Sequence, residues 1–128
     1  MNAAPDTLKA ILFDLDGTLI DTATDFVIVL DRLCTEYQVE TVPYAAVHKT
    51  VSSGARALVK LAFDIGETDA RFVEIHSRLL SLYLDQVAQS RARTYPGISD
   101  LLSALDDSSI QWGIVTNKPE IYTTVLLR

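Results

Sequence analysis

A short apolar run that ends abruptly in acidic residues is the feature that most constrains this chain. The run Ala10–Phe13 is followed directly by Asp14, a leucine and then Asp16. Parallel strands are buried on both faces and therefore read as continuous apolar stretches. We predict such a strand at about residues 9–15, with two carboxylates where it leaves the sheet.

A second strand and a long helical segment follow along the chain. Residues 110–116 are largely apolar and rich in strand-forming side chains. Between the two strands, apolar residues recur at helical spacings in two groups: Phe26, Leu30, Leu33 and Tyr37, then Phe72, Ile75, Leu79 and Leu82. Strand, crossover and strand imply a parallel sheet, but a crossover unit needs only ~30 residues and this one has ~70. We therefore expect an insertion of four or five helices.

The two carboxylates have a chemical interpretation and a structural one. Asp14 can act as a nucleophile and metal ligand, while Asp16 can turn back towards the same space as a proton donor and acceptor. The pair Asp16-Gly17 is also an ordinary turn sequence, which any strand leaving a core needs. A phosphomonoester is dianionic, so carboxylate attack on it needs a divalent cation, and oxygen ligands suit Mg²⁺. The pattern favours phosphoryl transfer.

Two motifs together resemble the haloacid dehalogenase-like hydrolases. The first spans residues 14–19, Asp-Leu-Asp-Gly-Thr-Leu, and the second spans residues 113–119, Gly-Ile-Val-Thr-Asn-Lys-Pro. Residues 51–59 and 112–119 resemble the phosphoglycolate phosphatase group, in particular its branch acting on N-acetylmuramic acid 6-phosphate. The resemblance implies a Mg²⁺-dependent phosphatase that works through an aspartyl-phosphate on Asp14.

The same resemblance implies the architecture and the roles of further residues. It implies an α/β fold with a Rossmann-like parallel-sheet core, into which an all-helical cap domain is inserted. We expect core segments at residues 1–20 and 95–128 and the cap at residues 21–94, closing over the site to exclude water. Thr116 and Asn117 would bind the phosphoryl oxygens, and the Asp16 carbonyl would be a second Mg²⁺ ligand beside Asp14.

The chain departs from the family pattern in one respect. Members carry a third motif with a lysine and a fourth, acidic motif, and neither follows before Arg128. We expect an incomplete core with an unpaired apolar sheet edge that favours self-association. Each missing electrostatic group costs ~10²–10³ in rate, so the isolated chain is expected to be nearly inactive. Lys118 belongs to the second motif and is expected to be solvated rather than to replace the missing lysine.

Substrate selection is assigned to the connection between two predicted cap helices. Ser53, Gly54 and Arg56 lie there, and Arg56 can pair with a carboxylate of the substrate. Both phosphoglycolate and N-acetylmuramic acid 6-phosphate carry one. The expected partner is a small phosphorylated metabolite bearing a carboxylate, although an arginine near a helix start is by default solvated.

Composition excludes several other classes of protein. The net charge of −6 and the scattered basic residues argue against a nucleic-acid binder. Cys34 is the only cysteine, which excludes an intrachain disulfide and fits a cytoplasmic location. The sequence shows no signal-peptide pattern and no apolar run approaching the ~18 residues of a membrane span, so no membrane partner is expected.

Two alternatives to a phosphatase remain at this stage. A sugar-phosphate mutase uses the same scaffold, whereas a dehalogenase usually lacks the second aspartate, so Asp16 argues for phosphoryl transfer. A shortened, non-catalytic binding module is the other alternative, supported only by the absent lysine and acidic motifs. A binding module need not bind Mg²⁺, which makes metal titration the discriminating measurement.

Overall fold

A computed structural model describes residues 7–128, and within them the chain forms six α-helices and four short strands. A single 3₁₀ turn, Val51–Ser53, separates two of the helices. The elements run in the order β1 (Ala10–Phe13), β2 (Ile20–Asp21), α1 (Ala23–Glu36), α2 (Tyr44–Thr50), α3 (Ala55–Phe63), α4 (Phe72–Val87), β3 (Arg93–Thr94), α5 (Ile98–Asp106), β4 (Gln111–Ile114) and α6 (Glu120–Leu126).

The two predicted strands pair in parallel, which confirms the α/β fold. Ala10 lies opposite Gln111 and Phe13 opposite Ile114, and the Val115 amide donates to the Phe13 carbonyl at 2.8 Å just beyond the ladder. Both strands are shorter than predicted. The Leu15 carbonyl already accepts the amides of three following residues, so the chain has entered a turn by that point.

The expectation that β1 is buried on both faces is wrong for the described part of the chain. Leu12 is 70% exposed and Ala10 is also exposed, while Ile11 and Phe13 are only half-buried. Among the described strands, β1 pairs only with β4, and the residue opposite Leu12 is Gly113, which has no side chain to cover it. The apolar run therefore forms a strand without reaching the core.

The main hydrophobic core lies instead among helices α1–α4. The apolar residues at helical spacing on α1 and α4 are buried as predicted, except that Tyr37 at the end of α1 is only partly buried. The members of this core with no exposed surface are Leu30, Leu33, Val47, Leu58, Val59 and Leu79. We call α1–α4 the helical cluster. Its four helices agree with the predicted four- or five-helix insertion.

A two-stranded antiparallel ribbon joins the helical cluster to the rest of the chain. Ile20 pairs with Thr94 and Asp21 with Arg93, and the Tyr95 amide extends the ribbon by donating to the Leu19 carbonyl at 3.1 Å. The ribbon falls at both boundaries of the predicted cap, 20/21 and 94/95. The division into 1–20, 21–94 and 95–128 stays a prediction, and residues 1–6 of the first segment lie outside the described residues.

Candidate active site

The loop after β1 places its two carboxylates in different surroundings. Asp14 is exposed, and its Oδ2 lies 3.5 Å from the Thr18 hydroxyl, which donates to it. Asp16 is buried, with 7% of its surface exposed. Gly17 follows with a φ of +76°, a left-handed conformation that glycine adopts without strain. The chain turns at Gly17, directly after the exposed Asp14, Leu15 and the buried Asp16.

Asp16 is held by three groups from different parts of the chain. Its Oδ1 accepts the Thr22 hydroxyl at 2.8 Å and the Lys118 Nζ at 2.8 Å. Its backbone carbonyl accepts the Ser52 hydroxyl at 2.7 Å. The residue directly before α1, the 3₁₀ turn and the segment after β4 therefore all converge on Asp16.

Lys118 is not solvated, which corrects the sequence expectation. Its side chain is 4% exposed, and its Nζ lies 4.5 Å from the centre of the Tyr83 ring and 5.2 Å from that of Phe26. Burial lowers the pKa of Lys118, while the nearby Asp16 carboxylate opposes that shift. An ammonium over two aromatic faces and beside a carboxylate is a stabilised buried cation. No local sequence pattern distinguishes such a lysine from a solvated one.

The segment after β4 approaches the loop after β1 because parallel strands end at the same edge of their sheet. The Thr116 hydroxyl accepts the Lys118 amide at 3.0 Å, which forms a tight turn beyond the strand. Asn117 at the tip of this turn is exposed. Asp14 directly follows Phe13, whose partner in the ladder is Ile114, so Asp14 and Thr116 both lie just beyond this end of the sheet.

A pocket of about 400 Å³ lies between the helical cluster and the segment after β4. The residues of the predicted site that line it are Asp16, Ser53, Gly54, Arg56 and Asn117. Asp14 and Thr116, which follow the two strands, are not among the residues that line it. The structure therefore brings the predicted substrate-selecting segment into the same cavity as one of the two predicted catalytic carboxylates.

The pocket also contains residues that sequence reasoning did not assign to it. His76, Leu80 and Tyr83 come from α4, and Tyr122 from α6. The helical periodicity of α4 signalled buried residues, yet it gave no sign that this face of the helix borders a cavity as well as a core. Burial lowers the pKa of His76, and the positive charge of Arg56 lowers it further.

Arg56 lies on the first turn of α3 and is largely exposed. Its Nη1 lies 3.7 Å from an oxygen of Glu67, which also pairs with Lys60 at 3.3 Å. Exposed ion pairs of this kind contribute little energy. An anion entering the pocket would therefore compete with only a weak existing partner.

The donors around the turn fit a hard divalent cation in chemical type. The Asp14 carboxylate and the Asp16 carbonyl are oxygen ligands, and Mg²⁺ is commonly held by one or two carboxylates while it keeps several waters. In residues 7–128 no cluster of three or more His, Cys, Asp or Glu side chains is placed to hold a metal ion. The described residues thus offer a partial set of ligands.

Comparison with known proteins agrees with the motifs and the fold. A family model described as haloacid dehalogenase-like hydrolase matches residues 11–128. The chain belongs to this family. An N-acetylmuramic acid 6-phosphate phosphatase from Pseudomonas aeruginosa is 38% identical over 112 residues, which cover 88% of this chain and 49% of that protein. A phosphoglycolate phosphatase from Xanthomonas campestris is 33% identical over 119 residues, covering 93% of this chain and 53% of the relative.

Solved structures of low sequence identity share the fold. A predicted phosphoglycolate phosphatase from Haemophilus somnus superposes with a TM-score of 0.74 at 22% identity, covering 97% of this chain and 58% of the other. A predicted phosphatase from Clostridium acetobutylicum gives a TM-score of 0.73 at 22% identity, with coverages of 95% and 55%. The chain spans about half the length of the curated relatives it matches.

No helix in the described part of the chain is both long and apolar enough to cross a membrane.

Proposed function

We propose that this protein contributes the nucleophile, the general acid/base and the substrate pocket of a Mg²⁺-dependent phosphomonoesterase. The observation that carries the proposal is the convergence of the two motifs, in which Lys118 Nζ lies 2.8 Å from Asp16 Oδ1 across the ends of β1 and β4. Membership of a hydrolase family and relatives named as phosphatases support it.

In the proposed reaction Asp14 attacks phosphorus, and the bond from phosphorus to the leaving oxygen breaks. For this step Asp16 must hold a proton when the substrate is bound, and it donates that proton to the leaving oxygen, so the leaving group departs as an alcohol. Water then attacks the aspartyl-phosphate while Asp16 takes up its proton, which regenerates Asp14 and releases inorganic phosphate. The exposed position of Asp14 leaves it free for attack, whereas the buried Asp16 is oriented by Thr22 and Lys118.

In this proposal, residues that follow β1 and β4 stabilise the negative charge of the phosphoryl group during its transfer. Thr116 and Asn117 would bind the phosphoryl oxygens there, as preorganised donors do in an oxyanion site. The Asp14 carboxylate and the Asp16 carbonyl would hold Mg²⁺, which supplies electrostatic stabilisation of the phosphoryl oxygens when bound. The Ser52 hydroxyl fixes the direction of the Asp16 carbonyl through their 2.7 Å hydrogen bond.

For the substrate we propose a small, carboxylate-bearing phosphomonoester held under the helical cluster, which would serve as the cap. N-acetylmuramic acid 6-phosphate and 2-phosphoglycolate are the two candidates, since relatives are named for acting on them. Ser53, Gly54 and Arg56 would select the leaving group, because they line the pocket that also contains Asp16. We place the reaction in the cytoplasm, and propose no nucleic-acid or membrane partner.

The proposal is tested by phosphate release from both candidates, with and without Mg²⁺, using the full protein that the gene encodes. We expect Mg²⁺-dependent hydrolysis that falls by at least ~10³ in Asp14→Asn, because the nucleophile is removed. Undiminished hydrolysis by Asp14→Asn would refute the proposed mechanism.

Asp31→Asn is the matched control for this measurement. Asp31 lies on α1 outside the pocket lining, so the same change of carboxylate to amide there should leave phosphate release unchanged.

A further inference from the structure

The backbone carbonyl of Asp16 takes no part in the hydrogen bonds of its own turn. Three amides of the turn donate to the Leu15 carbonyl, and the Gly17 amide donates to the Ile20 carbonyl. In the described part of the chain, the Asp16 carbonyl accepts a hydrogen bond only from the Ser52 hydroxyl, at 2.7 Å. A backbone carbonyl has two lone pairs, so one remains for a further partner.

The position of this donor is set by the core of the helical cluster. Ser52 belongs to the 3₁₀ turn that joins α2 to α3. Val51, directly before it, is 2% exposed and belongs to the hydrophobic core. The turn lies so close to the loop after β1 that a Cβ atom added at Gly17 would be 2.6 Å from the Ser52 hydroxyl oxygen. Packing of the helical cluster therefore determines where the donor to the Asp16 carbonyl lies.

The carboxylate and the carbonyl of Asp16 are held by different groups. Thr22 and Lys118 donate to the carboxylate, whereas Ser52 donates to the carbonyl. Loss of the Ser52 hydroxyl therefore leaves the partners of the carboxylate in place. Ser52 acts on the oxygen of Asp16 that we assign to Mg²⁺, separately from the oxygens that we assign to proton transfer.

A group that hydrogen-bonds a metal ligand orients that ligand before the metal binds. Removal of such a group typically weakens metal affinity or activity by ~10–100-fold. The contact between Ser52 and the Asp16 carbonyl is only partly buried, and Ser52 itself is exposed. Mg²⁺ usually keeps several of its waters, which a partly open position of this kind can accommodate.

We propose that Ser52 is a positioning residue, whose hydroxyl orients the Asp16 carbonyl for Mg²⁺ and thereby links metal binding to docking of the helical cluster on the loop after β1. This inference rests on the proposed function and extends it to the regulation of the same site. Such a link is reciprocal. The docked helical cluster raises the affinity for Mg²⁺, and bound Mg²⁺ favours the docked state by the same factor.

The test measures the dissociation constant of Mg²⁺ by calorimetric titration of the full protein and its variants, without substrate. We expect Ser52→Ala to raise this constant about 10-fold, because the carbonyl loses the group that orients it. Ser52→Thr keeps a hydroxyl at the same position and should retain most of the affinity. Asp14→Asn removes the proposed carboxylate ligand and should weaken binding at least as much as Ser52→Ala, which assigns the titrated ion to this site.

Ser81→Ala is the matched control, since Ser81 is exposed on α4 and lies outside the pocket lining. The same loss of a hydroxyl there should leave the dissociation constant unchanged. Equal Mg²⁺ binding by the wild type and Ser52→Ala would overturn the inference, even if Ser52→Ala unfolds at a lower temperature. Tighter binding by Ser52→Ala would also overturn it, because the hydroxyl would then compete with the ion for the carbonyl.

The link to docking is measured separately, by amide hydrogen exchange in residues 51–54. In this segment the Gly54 amide donates to the Val51 carbonyl at 3.1 Å. Saturating Mg²⁺ should slow exchange there in the wild type, and should slow it less in Ser52→Ala, because the ion then favours the docked state less. Exchange in the wild type that does not respond to Mg²⁺ would refute the link.

Failure of the proposed function gives a different result from failure of this inference. If the wild type binds Mg²⁺ but hydrolyses neither candidate substrate, the proposed function fails, and the comparison of Mg²⁺ affinities still decides the role of Ser52. If the wild type hydrolyses a candidate and Ser52→Ala binds Mg²⁺ equally well, the function stands and the inference fails. A wild type that binds no Mg²⁺ refutes the inference outright.

Discussion

At the scale of single residues, the ion pair between Lys118 and Asp16 holds distant parts of the chain together. Both side chains are almost fully buried, and Lys118 Nζ lies 2.8 Å from Asp16 Oδ1. Removing charges from water is costly, and the attraction between them repays this cost only with good geometry and additional hydrogen bonds. Thr22 supplies one such bond to Asp16, and the aromatic faces of Phe26 and Tyr83 surround the ammonium.

Replacing Lys118 by methionine is therefore expected to destabilise the protein. Lys118→Met keeps much of the side-chain volume but leaves the Asp16 carboxylate buried without its cation. Breaking one side of a buried pair commonly costs about 3–5 kcal/mol. We expect a loss of this size in the free energy of unfolding, measured by urea denaturation at neutral pH.

Two further variants make this measurement specific to the ion pair. Lys49→Met removes an exposed lysine on α2 and should change stability by less than about 0.5 kcal/mol. The double variant Lys118→Met/Asp16→Asn should be more stable than Lys118→Met, because no unpaired charge remains buried. Equal losses in Lys118→Met and Lys49→Met would mean that the pair contributes nothing.

At the scale of elements, the loop after β1 is fitted closely against the 3₁₀ turn. A Cβ atom added at Gly17 would lie 2.6 Å from the Ser52 hydroxyl oxygen, and that hydroxyl holds the Asp16 carbonyl. Glycine is thus required at position 17 for two reasons. One is the positive φ, and the other is the close approach of the 3₁₀ turn. This contact joins the proposed catalytic loop to the segment proposed to select the substrate.

Gly17→Ala is expected to destabilise the protein more than Gly97→Ala. Both glycines have positive φ, +76° and +86°, so both variants incur the backbone strain of ~1–2 kcal/mol for an L-residue in this conformation. Only Gly17 has a neighbour that must also move, since no atom of residues 7–128 beyond the adjacent residues lies within 4 Å of an added Cβ at Gly97. Thermal unfolding of both variants measures the difference, and a larger loss in Gly97→Ala would contradict the close fit at Gly17.

Helices could be predicted from sequence far better than strands. The spacing of buried residues located α1 and α4 because a helix repeats its core face along many residues. The ribbon β2–β3 was missed, because strands of two residues have no periodicity to detect. The lengths of β1 and β4 were overestimated, since composition does not reveal where the Leu15 carbonyl begins to accept turn hydrogen bonds.

At the scale of the whole molecule, the described structure has a well-packed helical cluster and a thin sheet. Leu8 just before β1, Leu12 within it and Val115 just beyond β4 are between 58% and 70% exposed. Within residues 7–128, β1 pairs with β4 alone, so its other edge offers unpaired backbone groups. An apolar strand with a free edge is prone to pair with another chain.

The 128-residue chain is therefore expected to self-associate, and Leu12→Lys should reduce this. A lysine on an edge strand is a common natural protection against edge-to-edge pairing. Val73→Lys is the control, because Val73 is equally exposed at 71% but lies on α4, away from the sheet. Sedimentation velocity across a range of concentrations measures the effect. A wild-type chain that stays monomeric at all concentrations would refute the expectation.

The sequence by itself determined the family of this protein and the buried faces of its two longest helices. Asp14, Asp16, Thr116 and Asn117 could be proposed as site residues because they lie in short motifs at strand ends, which are local patterns, and the helical faces repeat over many residues. Only the tertiary structure decided that Lys118 is buried on Asp16, that Tyr83 lines the pocket, and that β1 is half exposed. These outcomes depend on contacts between residues far apart in the chain, whose burial no local pattern encodes.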